Sequence, residues 1–275
     1  MKPTKHTPFP THLEIETTNL CQLACPFCPH HKMERKKGIM TWDVLKKTIE
    51  EAKGKTKTCY MHQIGEPLIH PNQVDMIKYV HDAGIRVSIS TNAMLLDIAM
   101  TKRLFNSGLD ELTLAIDSLK PETYAKLRVK GDFQRVIRNI DLCLEYAGGL
   151  TAYRIESPVI EVQVIVTKDN VSEIPAFKAK YEPMLSRIGN GSYLRIKQFS
   201  TFAGRVPDMS PEPSKPLRFT CKKLWTHIGI QWNGDMSLCC RDYDSEMIVG
   251  NIMNQTIEEV WNSDDYNKLR QYHRD

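Results

Sequence analysis

CQLACPFC, residues Cys21 to Cys28, sets three thiols at C-x3-C-x2-C directly behind a strand-like stretch, Leu13 to Glu16. The spacing points to an iron–sulfur cluster. A 4Fe–4S cube usually takes four cysteine thiolates, one per iron, so three leave one iron open to chelate a small molecule. The chemistry then belongs to whatever binds that iron. Three closely spaced cysteines on one loop can wrap a cube without help from distant sequence. Two plainer readings stand beside this one: a zinc site, or three buried thiols with no ligand. Structural zinc sites usually pair one C-x2-C with a second pair or with spaced histidines, and His30 and His31 follow Cys28 too closely to form an obvious one.

Outward from the cysteines the chain alternates. Thr41 to Ala52 puts Val44, Leu45, Ile49 and Ala52 on one helical face with Thr41 as its cap. A strand is expected from Thr58 to Ile64, a helix from Val74 to Ala83 ending at Gly84, and a strand from Ile85 to Ser90. The same rhythm gives helix Leu96 to Asn106, strand Glu111 to Ile116, helices Pro121 to Leu127 and Phe133 to Tyr146, strand Val159 to Val166, helix Val171 to Tyr181 and strand Tyr193 to Gln198. Strands alternating with helices imply a parallel sheet with right-handed crossovers. The expected fold class is α/β: a partial (β/α)6 TIM-type barrel with a small C-terminal β-hairpin plus helix extension. The expected domains are a barrel over 1–200, a proline-rich linker over 201–220 and an extension over 221–275.

Length and composition fit that plan. At 275 residues, 41% hydrophobic and 25% charged, the chain can build a core, and its formal charge of +4 is scattered, so no nucleic-acid footprint is indicated. ERKK, Glu34 to Lys37, reads as a solvated loop. No run approaches the roughly 18 apolar residues of a membrane span, and the N-terminus lacks a signal peptide's apolar middle. A cytoplasmic or equally reducing compartment is expected, where clustered cysteines favour metal over disulfides. Cys59 and Cys143 stand alone in apolar patterns and read as core.

In a parallel barrel the site is built from loops after the carboxyl ends of strands. The cysteine loop, Gly65 with Glu66, Ser90 to Asn92, and Asp117 with Ser118 all fall there, and convergence on one rim is expected.

C-x3-C-x2-C with Phe27 before the third cysteine resembles the signature of the radical S-adenosylmethionine (SAM) superfamily. In that family the open iron binds the amino and carboxylate groups of SAM. An electron from the cluster then splits SAM into methionine and a 5′-deoxyadenosyl radical, which abstracts hydrogen from the substrate. The resemblance implies the (β/α)6 shape, a 4Fe–4S cluster on Cys21, Cys25 and Cys28, and SAM as cofactor. Ile64-Gly65-Glu66-Pro67 is similar to the Gly-Gly-Glu-Pro segment that binds the SAM amino group, with Ile64 in place of the first glycine. Ser90-Thr91-Asn92 resembles the ribose-binding segment. Asp117-Ser118, with Arg128 downstream, resembles the segment near the SAM carboxylate, where a guanidinium fork can bond both oxygens. Phe27 is expected to lie near adenine or to cover the cluster. Gln22 stands where the family often has Asn. By themselves these residues read as a turn (Gly65, Ser90 to Asn92), a solvated loop charge (Glu66) and a surface cation (Arg128).

Ile228 to Trp232 and Asp235 to Leu238 flank Asn233-Gly234, a strong hairpin signal, with Cys239 and Cys240 after it and helical sequence towards Trp261 and from Tyr266 to Tyr272. The layout resembles the SPASM or twitch extension of many radical SAM enzymes, which implies a second 4Fe–4S cluster on Cys221 with Cys239 or Cys240. No later C-x2-C pair follows. Three readings stay open: a sequence continuing past Asp275, a non-cysteine or open ligand, or no second cluster.

The function implied is a radical SAM oxidoreductase acting on a small molecule such as a sugar or cyclitol alcohol. A SPASM-type peptide maturase or epimerase is the alternative within the same chemistry, and a non-catalytic iron–sulfur or zinc protein the alternative outside it. Partners implied are a small-molecule or peptide substrate and an electron donor such as flavodoxin or ferredoxin. No catalytic acid or base is assigned.

Overall fold

Strand β1, His12–Ile15, carries Leu13 and Ile15 with no exposure, so its apolar positions face a core while His12 and Glu14 face the other way. The computed structural model describes residues 7–212 and 221–273; the linker expected over 201–220 lies in part, at 213–220, outside the described residues. Helix α1, Trp42–Ala52, starts where Thr41 accepts a hydrogen bond from the Val44 amide at 3.5 Å. Strand β2, Thr58–Tyr60, is followed by helix α2, Gln73–Asp82, strand β3, Arg86–Thr91, helix α3, Ile98–Phe105, and strand β4, Glu111–Ala115. Then come helices α4, Pro121–Leu127, and α5, Phe133–Ala152, strand β5, Val159–Val166, helix α6, Ile174–Ile188, and strand β6, Tyr193–Gln198. The C-terminal stretch holds strands β7, His227–Ile230, β8, Asp235–Ser237, and β9, Ile248–Asn251, with helices α7, Ile257–Trp261, and α8, Asp264–Tyr272.

This is a mixed α/β fold with multi-stranded pairing, as the alternation implies. The chain divides into two units: one of Met1–Leu20, Met33–Val87 and Lys215–Asp275, the other of Cys21–Lys32 and Ser88–Ser214. In the first unit the strand order is β2-β1-β7-β8-β9, with β1 parallel to both β2 and β7, and with antiparallel pairing from β7 through β9. In the second, β3, β4, β5 and β6 are parallel neighbours. On β5, Ile160, Val162 and Val164 have no exposure, whereas Glu161 and Gln163 occupy the opposite face. Cys59 and Cys143 are fully buried, as their apolar context implies.

Several bounds differ from the periodicity. Strand β2 stops at Tyr60 instead of Ile64, although Met61 and Ile64 stay buried, so the apolar pattern there marks burial without a ladder. Helix α5 runs through Gly148 and Gly149 to Ala152, because packing against a neighbouring element outweighs the glycine cost of roughly 1 kcal/mol each. ERKK is not a solvated loop throughout: the Arg35 side chain is 12% exposed and forms an ion pair at 2.5 Å with fully buried Glu16. Its Nε also donates to the Tyr243 carbonyl at 2.7 Å, and Asp244 accepts from the Glu34 and Arg35 amides, tying this loop to the C-terminal stretch within one unit. Among the described residues, no helix is long and apolar enough to cross a membrane.

Candidate functional site

In the second unit the cysteine loop rests on an apolar bed. Leu23, Cys25, Phe27 and Leu127 form a buried cluster, and Cys21, Cys28, Met94, Ile165, Phe199 and Met209 pack against it. The Ala24 amide donates to the Val129 carbonyl and the Cys28 amide to the Cys25 carbonyl, each at 3.0 Å, so the loop's shape is fixed by backbone bonds.

Polar donors surround the sulfurs. Asn92 Nδ2 lies 3.9 Å from Cys21 Sγ, and Arg128 Nη1 lies 3.9 Å from Cys25 Sγ. Asn92 is positioned by Gln22, whose Nε2 donates to its Oδ1 at 3.1 Å, and by the Met94 amide, which donates to the same oxygen. Thr91 is buried and its hydroxyl accepts from the Ala93 amide, while Ser90 is half-buried on β3. Burial pushes the Cys25 thiol up despite the opposing Arg128 charge, and pushes Cys28 up to about 11. A bound metal inverts that preference, since a coordinating thiol is deprotonated outright.

Arg128 joins the site's halves. Its Nη2 pairs with Asp117 Oδ2 at 2.7 Å, and its guanidinium sits 5.4 Å from the Phe27 ring centroid. Burial alone would lower the guanidinium pKa, but Asp117 and Cys25 outweigh it and the net shift is upward. Asp117 is fully buried at a backbone φ of 67°, and its Oδ1 accepts from the Ile165 amide at 2.6 Å. Ser118 turns away from Arg128 and donates to Glu173 at 2.9 Å. Glu173 and Asn170 were not legible as site residues. Asn170 donates to the Asp117 carbonyl at 2.7 Å, and both lie more than fifty positions from what they hold, with no local spacing to flag them.

The residues fit a bound group of the kind implied. Three thiols share one loop lined by donors, and Arg128 Nε is a buried donor with no hydrogen-bond partner, which suits an anionic oxygen. Among the described residues no three His, Cys, Asp or Glu side chains gather tightly enough to hold one metal ion; a cube instead gives each thiolate its own iron.

In the first unit, Gly65 sits at φ 124°, and a Cβ there would lie 2.5 Å from the Thr18 carbonyl oxygen. Only glycine lets this backbone approach so closely. Glu66 is 2% exposed, its amide donates to the Leu20 carbonyl at 2.7 Å, and its carboxylate accepts from the Leu68 amide, just beyond Pro67. Cys221, Cys239 and Cys240 are half-buried free thiols. Lys223 donates to Cys240 Sγ at 3.6 Å and to Glu14, and the Arg241 amide donates to Cys239 Sγ at 3.4 Å. Burial, with Glu14 beside it, raises the Cys240 thiol against the Lys223 charge. Glu14 and Lys223 are a second pair that the sequence did not announce, 209 positions apart.

Comparison with known proteins gives these features a family. Residues 15–155 match the model of the radical SAM superfamily, and residues 221–275 match the SPASM model, an iron–sulfur cluster-binding domain. The chain is 25% identical, over an alignment of 313 positions that covers 94% of this chain and 83% of the relative, to the tungsten-containing aldehyde ferredoxin oxidoreductase cofactor-modifying protein of Pyrococcus furiosus. It spans about half the length of several other curated relatives it matches. The structure of Streptococcus suis SuiB bound to precursor peptide SuiA is similar at a TM-score of 0.73, with 15% identity, covering 96% of this chain and 67% of that one. BtrN in complex with AdoMet and 2-DOIA is similar at a TM-score of 0.60, with 15% identity, covering 95% and 85%. At such identity these two likenesses speak to the fold. The matched domains imply SAM binding and iron–sulfur chemistry, which overturns the reading as a non-catalytic binding protein. The chain belongs to the radical SAM superfamily of enzymes and carries a SPASM-type iron–sulfur domain at its C-terminal end.

Proposed function

We propose that this enzyme is a SPASM-type maturase that abstracts hydrogen from a peptide substrate, on a partial (β/α)6 barrel over 1–200 and an extension over 221–275. The observation that carries the choice of substrate is the higher similarity to peptide-bound SuiB, 0.73, than to BtrN with 2-DOIA, 0.60, at near-equal coverage of this chain. The sugar or cyclitol substrate expected from the sequence is accordingly the less favoured one. A second reading rests on the cofactor-modifying relative, similar over 94% of this chain: a substrate that is itself a protein's cofactor or its precursor.

When bound, the cluster and SAM together supply a 5′-deoxyadenosyl radical. Cys21, Cys25 and Cys28 would hold the cluster, Asn92 and Gln22 would orient Cys21, and Phe27 with Leu23 and Leu127 would keep water from it. Arg128, anchored by Asp117, would offer its unpaired Nε to the SAM carboxylate, and Ser90 with Thr91 would face the ribose. Ser118 would act by positioning, through Glu173. Cys221, Cys239 and Cys240 would serve an auxiliary cluster, with Lys223 donating to Cys240. The oxygen sensitivity of such clusters and the free thiols fit a reducing compartment such as the cytoplasm.

The test uses anaerobically reconstituted enzyme with SAM, a reductant and heavy water. Peptides encoded beside its gene are compared with sugars and cyclitols. Peptide-stimulated 5′-deoxyadenosine, with loss of two hydrogens or uptake of deuterium by the peptide, supports the proposal. Stimulation by sugars or cyclitols with none by peptides overturns it.

A further inference from the structure

Each SAM cleavage takes up one electron; where the peptide loses two hydrogens its radical gives one back, and where it takes up deuterium the electron is consumed. The C5′–S bond breaks, the methionine sulfur keeps the electron pair, and the carbon keeps the single electron. The electron that starts the first turnover, and that of every turnover in which none is returned, must reach the cysteine loop from outside the chain.

Residues 126–138 present two sides to this task. Their inner side lies on the cysteine loop: Leu127 packs with Leu23, Cys25 and Phe27, the Val129 carbonyl accepts from the Ala24 amide at 3.0 Å, and Arg128 reaches Cys25 Sγ. Their outer side is cationic. Lys126, Lys130, Arg135 and Arg138 are exposed, and Val129, 38% exposed, stands between the two lysines in sequence as an apolar contact. Asp132 caps α5, accepting from the Arg135 amide at 3.0 Å, and with Asp97 it lines the same cavity as Arg135 and Arg138, so the dock is argued from Lys126, Val129 and Lys130. The formal charge of the whole chain is only +4, so this density of cations is local.

We propose that this surface is the docking site of a small acidic one-electron carrier protein. The inference rests on the radical SAM reading of the cysteine loop. Opposite charge steers encounter and raises the on-rate, and an apolar centre gives the encounter complex something to bury. Electron transfer falls steeply with distance, which favours a dock whose underside is the loop itself.

The test uses a reduced acidic flavodoxin as the carrier and dithionite as a small reductant that needs no dock. Binding of flavodoxin to the reconstituted holoenzyme is measured by calorimetry beside both SAM-cleavage rates. The double variant Lys126→Glu with Lys130→Glu is expected to weaken flavodoxin binding and raise its KM by about tenfold or more. Dithionite-driven cleavage should stay within about twofold of wild type, and flavodoxin binding should weaken as salt rises. Lys126→Glu alone carries the same expectation, in the same direction, should the double variant fold poorly. Unchanged flavodoxin binding in both variants overturns the proposal, as does a rise in the KM of an acidic peptide substrate with none for flavodoxin. Absence of dithionite-driven cleavage in the wild type would strike the enzyme reading instead, and the binding measurement would still decide the dock.

Discussion

Replacing Arg128 by Met removes one partner of a buried ion pair while leaving the other in place. Asp117 has no exposed surface and Arg128 is 8% exposed, so the carboxylate left behind cannot recover water. Breaking such a pair costs about 3–5 kcal/mol, most of it the penalty of an uncompensated buried charge. At about 2–4 °C per kcal/mol for a chain of this order, the thermal midpoint should fall by about 6–20 °C. The Asp117 Oδ1 bond to the Ile165 amide at 2.6 Å does not relieve this, because one amide does not replace a guanidinium. Asp117→Asn combined with Arg128→Met removes both charges and should recover part of the loss, giving a coupling of about 1–3 kcal/mol in a double-mutant cycle. Thermal unfolding of the four proteins by circular dichroism reads the cycle. A cost below about 1 kcal/mol for Arg128→Met, the range of an exposed pair, would refute the reasoning.

Other perturbations test separate parts of the structure. Gly65→Ala should destabilise by about 2 kcal/mol or more, since φ 124° is strained for alanine and its Cβ would meet the Thr18 carbonyl; Gly84→Ala, at φ 78° but with nothing within 4 Å of its Cβ, should cost only the backbone strain, about 1–2 kcal/mol, in the same denaturation assay. Burial, with Lys223 and His12 beside it, pushes His227 down to about 3 from its usual 6.5. Its unfolded form therefore binds more protons below about pH 6.5, and stability should fall as pH drops from there toward 3, by about 1–2 kcal/mol after allowing for solvent screening. A pH series of urea midpoints should show that slope, and His227→Phe should flatten it.

The alternation of strands and helices was legible because each element buries one face. Val159–Val166 and Tyr193–Gln198 keep the bounds their patterns imply. Strand β9 was missed because Ile248–Asn251 is short and interrupted by Gly250, where a Cβ would lie 2.6 Å from Val260 Cγ2. The cysteine loop was legible because its ligand spacing is local. What could not be read were the long-range pairs: Gln22 on Asn92, Glu173 on Ser118, and, in the first unit, Arg35 on Glu16 join residues apart in sequence, and such pairs leave no period. Solvent exposure was likewise hidden, so Arg35 read as part of a solvated loop, and Arg128, taken without the resemblance, as a surface cation, until their buried carboxylates were located.

The most direct test of the central claim is anaerobic reconstitution with iron and sulfide counting, followed by SAM cleavage under dithionite, for wild type and Cys25→Ala. Wild type should bind about four irons, or about eight if the C-terminal cysteines hold a second cluster, and should form 5′-deoxyadenosine. Cys25→Ala should lose that product. Zinc in place of iron with no cleavage, or undiminished cleavage by Cys25→Ala, would contradict the assignment of the cysteine loop as the cluster site.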